Sequence, residues 1–166
     1  MAIDFHLELG APATPERVAG ELLALAVEGG LLPAGTEATD LLGPGAVLRA
    51  GAWCKVVAAN NPFPWPPPVE ADFGIVRTCW VAFRLDLRSD AVRPQQDEMV
   101  WLCSGLLARL PGDAALHSDY EVLWLLRKEG RLLVSDRDDI WTAERLAMLP
   151  QPYERAHLAF SDVPDG

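Results

Sequence analysis

The sequence predicts an α+β domain: an antiparallel sheet with two main helices packed on one of its faces. Three observations carry this. Apolar and polar residues alternate over residues 2–9 and 73–87, the period of a strand. Apolar residues recur at helical spacing over 15–28 and 95–110. The 14 prolines and 13 glycines gather between these periodic segments, where they punctuate rather than disrupt.

Each element follows in order. In the first strand Ile3, Phe5, Leu7 and Leu9 face one way and Asp4, His6 and Glu8 the other, as in a half-buried strand. Thr14 offers an N-cap, Pro15 fits the first helical position and Glu16 the first turn. Val18, Leu22, Leu25 and Ala26 form that helix's stripe, and Gly29 and Gly30 end it. Residues 46–59 read as a second strand. The third, 73–87, places Phe73, Ile75, Cys79, Val81, Phe83, Leu85 and Leu87 on one face, interrupted only by Arg77.

Pro94 opens the second helix, over residues 95–110, with Asp97 and Glu98 in the first turn, where acidic residues suit the helix dipole. Met99, Leu102, Cys103, Leu106 and Leu110 are its stripe, and Pro111-Gly112-Asp113 terminates it. Residues 115–127 read as a strand, Gly130 closes a hairpin onto 131–135, and a short helix spans 142–149. The order β-α-β-β-α-β-β, with the short C-terminal helix, is that of a split βαβ (ferredoxin-like) variant with an extra strand. Residues 1–166 are expected to form this single domain, without internal repeats.

Composition removes several classes of function. The 24 acidic and 14 basic residues leave a net charge of -10, with two lysines, Lys55 and Lys128, and no basic cluster. That disfavours direct nucleic-acid binding and attachment to anionic lipid, and suits a cationic protein partner. No apolar run reaches the roughly 20 residues of a membrane-spanning helix. The opening MAIDFHLELG has no basic segment of a signal peptide, so a cytoplasmic location without membrane insertion is expected. Cys54, Cys79 and Cys103 form no C-x-x-C pair and read as buried free thiols. No nucleophile elbow, phosphate loop, dinucleotide fingerprint or H-E-x-x-H occurs, and no cofactor is expected.

Three stretches stand out. NNPFPWPPPVEAD, residues 60–72, has three successive prolines and must run as an extended loop; it either shows Phe63 and Trp65 to a partner or packs them on the domain. HSDYE, residues 117–121, would on a strand put His117, Asp119 and Glu121 on one face. That is a wet surface, a partner-binding surface, or an acid-base or metal constellation. SDRDDIW, residues 135–141, packs Asp136, Asp138 and Asp139 before Trp141. It is not a calcium loop, because Trp141 occupies the sixth position where glycine is needed. It reads as a solvated turn, a weak divalent-ion site, or a protein-binding edge.

Whole phrases of the chain are similar to a known family. MAIDFHLEL, FGIVRTCWVAFRLD and the run QQDEMVWLCSGLLARLPGDAALHSDYEVLWLLRKEGRLLVSDRDDIWTAERLAMLPQPYERAHLAF resemble the Sit-type immunity proteins, the bacterial immunity partners of swarming-inhibition toxins in myxobacteria. Residues 31–72 match loosely. The resemblance implies a non-enzymatic, cytoplasmic protein that binds one cognate protein toxin and stops it from acting. It carries no site residues over.

The partner-binding residues expected from the sequence itself are Asp136, Asp138 and Asp139 for charge and Trp141 as an aromatic anchor. Asp97, Glu98 and Trp65 are secondary. Two other functions are carried beside this one. The first is a metal-dependent enzyme or small-molecule-binding protein using His117, Asp119, Glu121 and the 136–139 carboxylates. The second is an interaction adaptor with a harmless partner.

Overall fold

The first strand, β1 (Ala2–Gly10), organises everything else, because its two faces are chemically distinct. Phe5, Leu7 and Leu9 enter one hydrophobic core, and His6 and Glu8 point to the opposite side of the sheet. A computed structural model describes residues 1–161. In it the chain continues through α1 (Pro15–Glu28), α2 (Ala38–Leu42), β2 (Ala46–Val47), β3 (Trp53–Ala58) and α3 (Pro68–Phe73). Then come β4 (Arg77–Asp86), α4 (Val92–Arg109), β5 (Ala114–Ser118), β6 (Val122–Lys128), β7 (Arg131–Ser135), α5 (Ala143–Met148) and β8 (Glu154–Ala156).

The fold is α+β, with five helices among the described residues and one eight-stranded mixed sheet in the order β2-β3-β4-β1-β5-β6-β7-β8. Neighbouring strands are antiparallel except β7 and β8, which run parallel, so the sheet is not the purely antiparallel one expected. Helices α1 and α4 cover one face as expected. Val18, Leu22 and Leu25 of α1 and Met99, Leu102, Cys103 and Leu106 of α4 close the main core over Cys79, Val81, Phe83 and Leu85 of β4. Thr14 caps α1 by accepting from the Arg17 N–H. The three cysteines are free and buried, and no described helix is long and apolar enough to cross a membrane.

Several boundaries differ from the sequence reading, each for a local reason. The expected strand 46–59 is a small hairpin, β2 and β3, turned at 48–52, where Gly51 takes a φ of 110° that a residue with a Cβ rarely adopts. Residues 60–72 are not all extended loop. Pro67 is the N-cap of α3 and Pro68 its first residue, the place where a missing N–H costs nothing. Helix α3 therefore takes the place of the expected start of β4, and Ile75 joins a second, smaller core on the other face of the sheet with Val69, Ala115, Leu123, Leu126 and Phe160.

The expected strand 115–127 is two strands. Asp119 and Tyr120 both have positive φ (49° and 58°), and the Glu121 N–H returns to the Ser118 carbonyl at 2.8 Å, which reverses the chain. The Gly130 hairpin between β6 and β7 is as expected, with φ of 53° at Glu129 and 79° at Gly130.

Candidate functional site: an acidic edge, an aromatic loop and a buried polar centre

The acidic edge grows from the end of β7. The Asp136 N–H donates to Ala156 O at 2.9 Å, holding the turn onto β8. Asp136, Asp138 and Asp139 are all exposed and adjacent, as a binding edge requires. Their charge is partly met from within the protein. Arg137 forks onto both oxygens of Asp139 at 3.1 and 2.7 Å, and Arg155 reaches Asp138 at 3.2 Å. The Arg137 guanidinium holds the Asp139 carboxyl below its usual range.

Trp141 is not on this surface. It is 2% exposed, and its indole N–H donates to the Trp124 carbonyl at 3.0 Å. An aromatic anchor for a partner must reach the partner; Trp141 instead fastens the turn to the core, with its ring edge-on to Trp124.

Asp97 and Glu98 serve neighbours within the chain. Asp97 accepts from Arg145 Nε at 2.7 Å, and the guanidinium of the buried Arg145 also donates to Ile140 O and Gln96 Oε1. Asp139 and Arg145 line one cavity of about 230 Å³ at this end of the sheet, so Asp97 adjoins the acidic edge. Glu98 is 7% exposed and accepts the Ala50 N–H with both oxygens, at 3.0 and 3.1 Å, bracing the 48–52 turn against α4. It offers a partner little surface.

Trp65 lies elsewhere, on the loop before α3. It is 61% exposed and stacks on Phe63, itself 57% exposed, with ring centroids 5.0 Å apart and planes at 12°. Asn61 builds the turn that presents them: its side-chain amide donates to Trp65 O at 2.9 Å and its side-chain carbonyl accepts the Phe63 N–H at 3.3 Å. Arg77 ties the base of the loop down through Asn60 O at 3.3 Å.

Between this loop and the sheet lies a charged centre that sequence reading missed. Glu8 is 0% exposed. Its Oε1 accepts from Arg77 Nη1 at 2.5 Å and from the Tyr120 hydroxyl at 2.9 Å. Arg77 reaches Glu8 because β1 and β4 lose register at Leu9/Gly10, which places Gly10 opposite Arg77. Arg77 also lies over the Trp80 ring at 4.5 Å. His117, fully buried, stacks on Tyr120 at 4.1 Å, and its Nδ1 accepts the Tyr120 N–H at 3.0 Å.

Tyr120 is thus held in a left-handed conformation by its N–H, its ring and its hydroxyl together. Burial alone would push the Glu8 carboxyl up; His117, Arg77 and Tyr120 more than reverse this and hold it below the usual range. Burial and the nearby Glu8 push the Tyr120 hydroxyl up to about 12. Burial lowers His6.

Among the described residues, three buried atoms of this centre have no hydrogen-bond partner: His6 Nδ1, Glu8 Oε2 and His117 Nε2. His6, Glu8 and His117 each offer one ligand atom to a common point, all within 4.8 Å of one another, a donor set that matches zinc or iron(II) in kind. The hydrogen-bond polarity does not match. A neutral imidazole has one N–H and one lone pair, and His117 spends its lone pair at Nδ1 on the Tyr120 N–H. Its proton therefore sits on Nε2 and points toward Glu8 Oε2, 3.8 Å away. A metal-bound histidine has the reverse arrangement, donating from its outer nitrogen.

The grouping expected of His117, Asp119, Glu121 and the 136–139 carboxylates is not formed. His117 turns into the second face while Asp119 and Glu121 are exposed on the hairpin turn, so these three residues do not share the wet strand face that was expected. The readable signals were Arg77 breaking an apolar face and the His6 and Glu8 pair on the polar face of the first strand.

A family model described as SitI3-like matches residues 3–145, from the first strand into α5. No curated protein and no solved structure matches the chain.

Proposed function

We propose that this chain, which belongs to the SitI3-like family, is an immunity protein that binds a cognate bacterial toxin in the cytoplasm and neutralises it. The family match over residues 3–145 carries this reading. Two physical features support it. The net charge of -10 favours fast association with a cationic partner. The surface offers an acidic edge at Asp136, Asp138 and Asp139, flanked by Asp97, and a separate exposed aromatic pair at Phe63 and Trp65. In this reading the toxin is held by charge at the first and by aromatic contact at the second, and no chemistry is asked of the protein.

The scaffold is read as a split βαβ unit extended at both edges. The order β3-β4-β1-β5, with α1 and α4 on one face, supports that reading.

The experiment is co-expression with the product of the adjacent reading frame, since immunity genes of this kind are expected beside their toxins. Rescue of growth by this chain is the expected result; undiminished toxicity in its presence would defeat the proposal.

A second reading, a metal-dependent or small-molecule-binding protein, keeps one observation in its favour, the three unpartnered buried atoms of His6, Glu8 and His117. It predicts a rise in melting temperature with zinc, manganese, magnesium or calcium. Flat melting curves with all four ions would remove the metal version.

A further inference from the structure

A cavity of about 320 Å³ lies beside the polar centre, walled by Trp65, Pro66, Pro68, Tyr120 and Phe160, with Asp72 at its margin. This is the small end of ligand cavities, which run from about 300 Å³, and suits one side chain rather than a cofactor. The rings of Tyr120 and Phe160 meet at 71° with centroids 5.8 Å apart, so they form a corner rather than a stack. Tyr120 is backed on His117, and Trp65 is backed on Phe63. Tyr120 is therefore held before anything binds, and Trp65 is supported on one face, which lowers the entropic cost of binding.

Among the described residues no lysine, arginine or histidine lines this cavity, and the one charge among them is the Asp72 carboxylate. Asp72 accepts from Ser161 through both oxygens, at 2.9 Å from the N–H and 2.7 Å from the hydroxyl. A carboxylate oxygen has a second lone pair, so Asp72 is both positioned and still able to accept. Arg77 touches the Tyr120 hydroxyl end at 3.1 Å and is matched by Glu8 at 2.5 Å.

Aromatic faces set at an angle, plus one carboxylate, attract a cation. The geometry points to this cavity as a cage for an arginine side chain presented by the partner. The planar guanidinium stacks on an aromatic face and offers N–H groups to Asp72 in the same pose. Glu121 and Asp119, exposed on the neighbouring hairpin turn, add to the negative surroundings. The inference rests on the toxin-binding reading only for the identity of the arginine's owner.

The test needs no toxin. The purified protein is titrated with the peptide acetyl-Gly-Arg-Gly-amide and, separately, with its citrulline counterpart, which has the same shape without the charge. The backbone N–H resonances of Asp72 and Tyr120 are followed by NMR, together with the indole N–H of Trp65 where that residue is present. The expected result is a saturable shift with the arginine peptide, at least about tenfold weaker binding of citrulline, and a loss of about tenfold in Trp65→Ala. Asp72→Asn weakens arginine and leaves citrulline unchanged. Equal response to the two peptides, or an unmoved Trp65 resonance, overturns the inference. Either outcome leaves growth rescue by co-expression to be decided on its own.

Discussion

Residues 117–121 and 136–139 both follow an apolar strand and both carry clustered acids, yet the chain builds them in opposite senses. At 117–121 the acids Asp119 and Glu121 stay in water, and His117 and Tyr120 fold inward onto the buried Glu8. At 136–139 the charged groups all stay outside, Asp139 paired to Arg137 and Asp138 to Arg155, and only the following Ile140 and Trp141 turn inward. Charge content alone does not tell a structural turn from a surface one. The first turn has positive φ at two non-glycine residues, and side-chain bonds hold it there. The second is an ordinary solvated turn that ends in an N-cap, Thr142 accepting from the Arg145 N–H at 3.3 Å. One turn should therefore matter to stability and the other to recognition.

Substitutions sharpen this contrast, beginning with the largest effect. Glu8→Ala leaves the Arg77 guanidinium, 11% exposed in its side chain, without its counter-charge, and should cost about 3–5 kcal/mol in urea unfolding. Trp141→Ala should cost about as much, 3–5 kcal/mol, because it opens a cavity and strands the Trp124 carbonyl. Wild-type stability after Trp141→Ala would return Trp141 to the list of surface anchors. Tyr120→Phe removes one hydroxyl bonded to Glu8 and Arg77, and about 1–2 kcal/mol is expected.

The centre also sets a pH dependence. His6 binds its proton less readily in the fold than when unfolded, so the unfolded state takes up protons first. The contribution is complete above the unfolded value near 6.5 and is lost as pH falls below it. Glu8, also lowered, contributes above its unfolded value near 4.5 and loses that contribution as pH falls further. Melting temperature should decline in two stages on acidification, and His6→Asn should remove the upper one. An unchanged upper stage in that variant would place the titrating group elsewhere.

The smallest stability effect is expected at the acidic edge. Changing Asp136, Asp138 and Asp139 together to Asn should shift unfolding by no more than about 0.5 kcal/mol, because the three side chains are exposed. The same variant should slow toxin association and flatten its dependence on salt. An unchanged association rate would take this edge out of the binding surface.

Much of this was readable in the sequence. The alternation of β1 and the stripes of α1 and α4 gave the helix-covered face, since a two-sided amphipathic pattern has one solution. The second face was not readable. Its core draws one or two residues each from α3, β5, β6 and the chain near Ile75 and Phe160, and no periodicity links them. Helix α3 was hidden by its prolines, which sit at its N-terminus instead of breaking it. The His117 turn was hidden because neither Asp119 nor Tyr120 announces a positive φ as glycine does. The acidic edge was legible as exposed charge, but the inward turn of Trp141 was not, because a tryptophan after a charged turn suits a surface and a core equally.

The central claim is that this protein acts by holding a toxin. The most direct measurement is a calorimetric titration of the purified chain with the purified product of the neighbouring reading frame. A tight one-to-one complex whose affinity falls as salt is raised is the predicted result. No heat of binding with a folded and active toxin would contradict it.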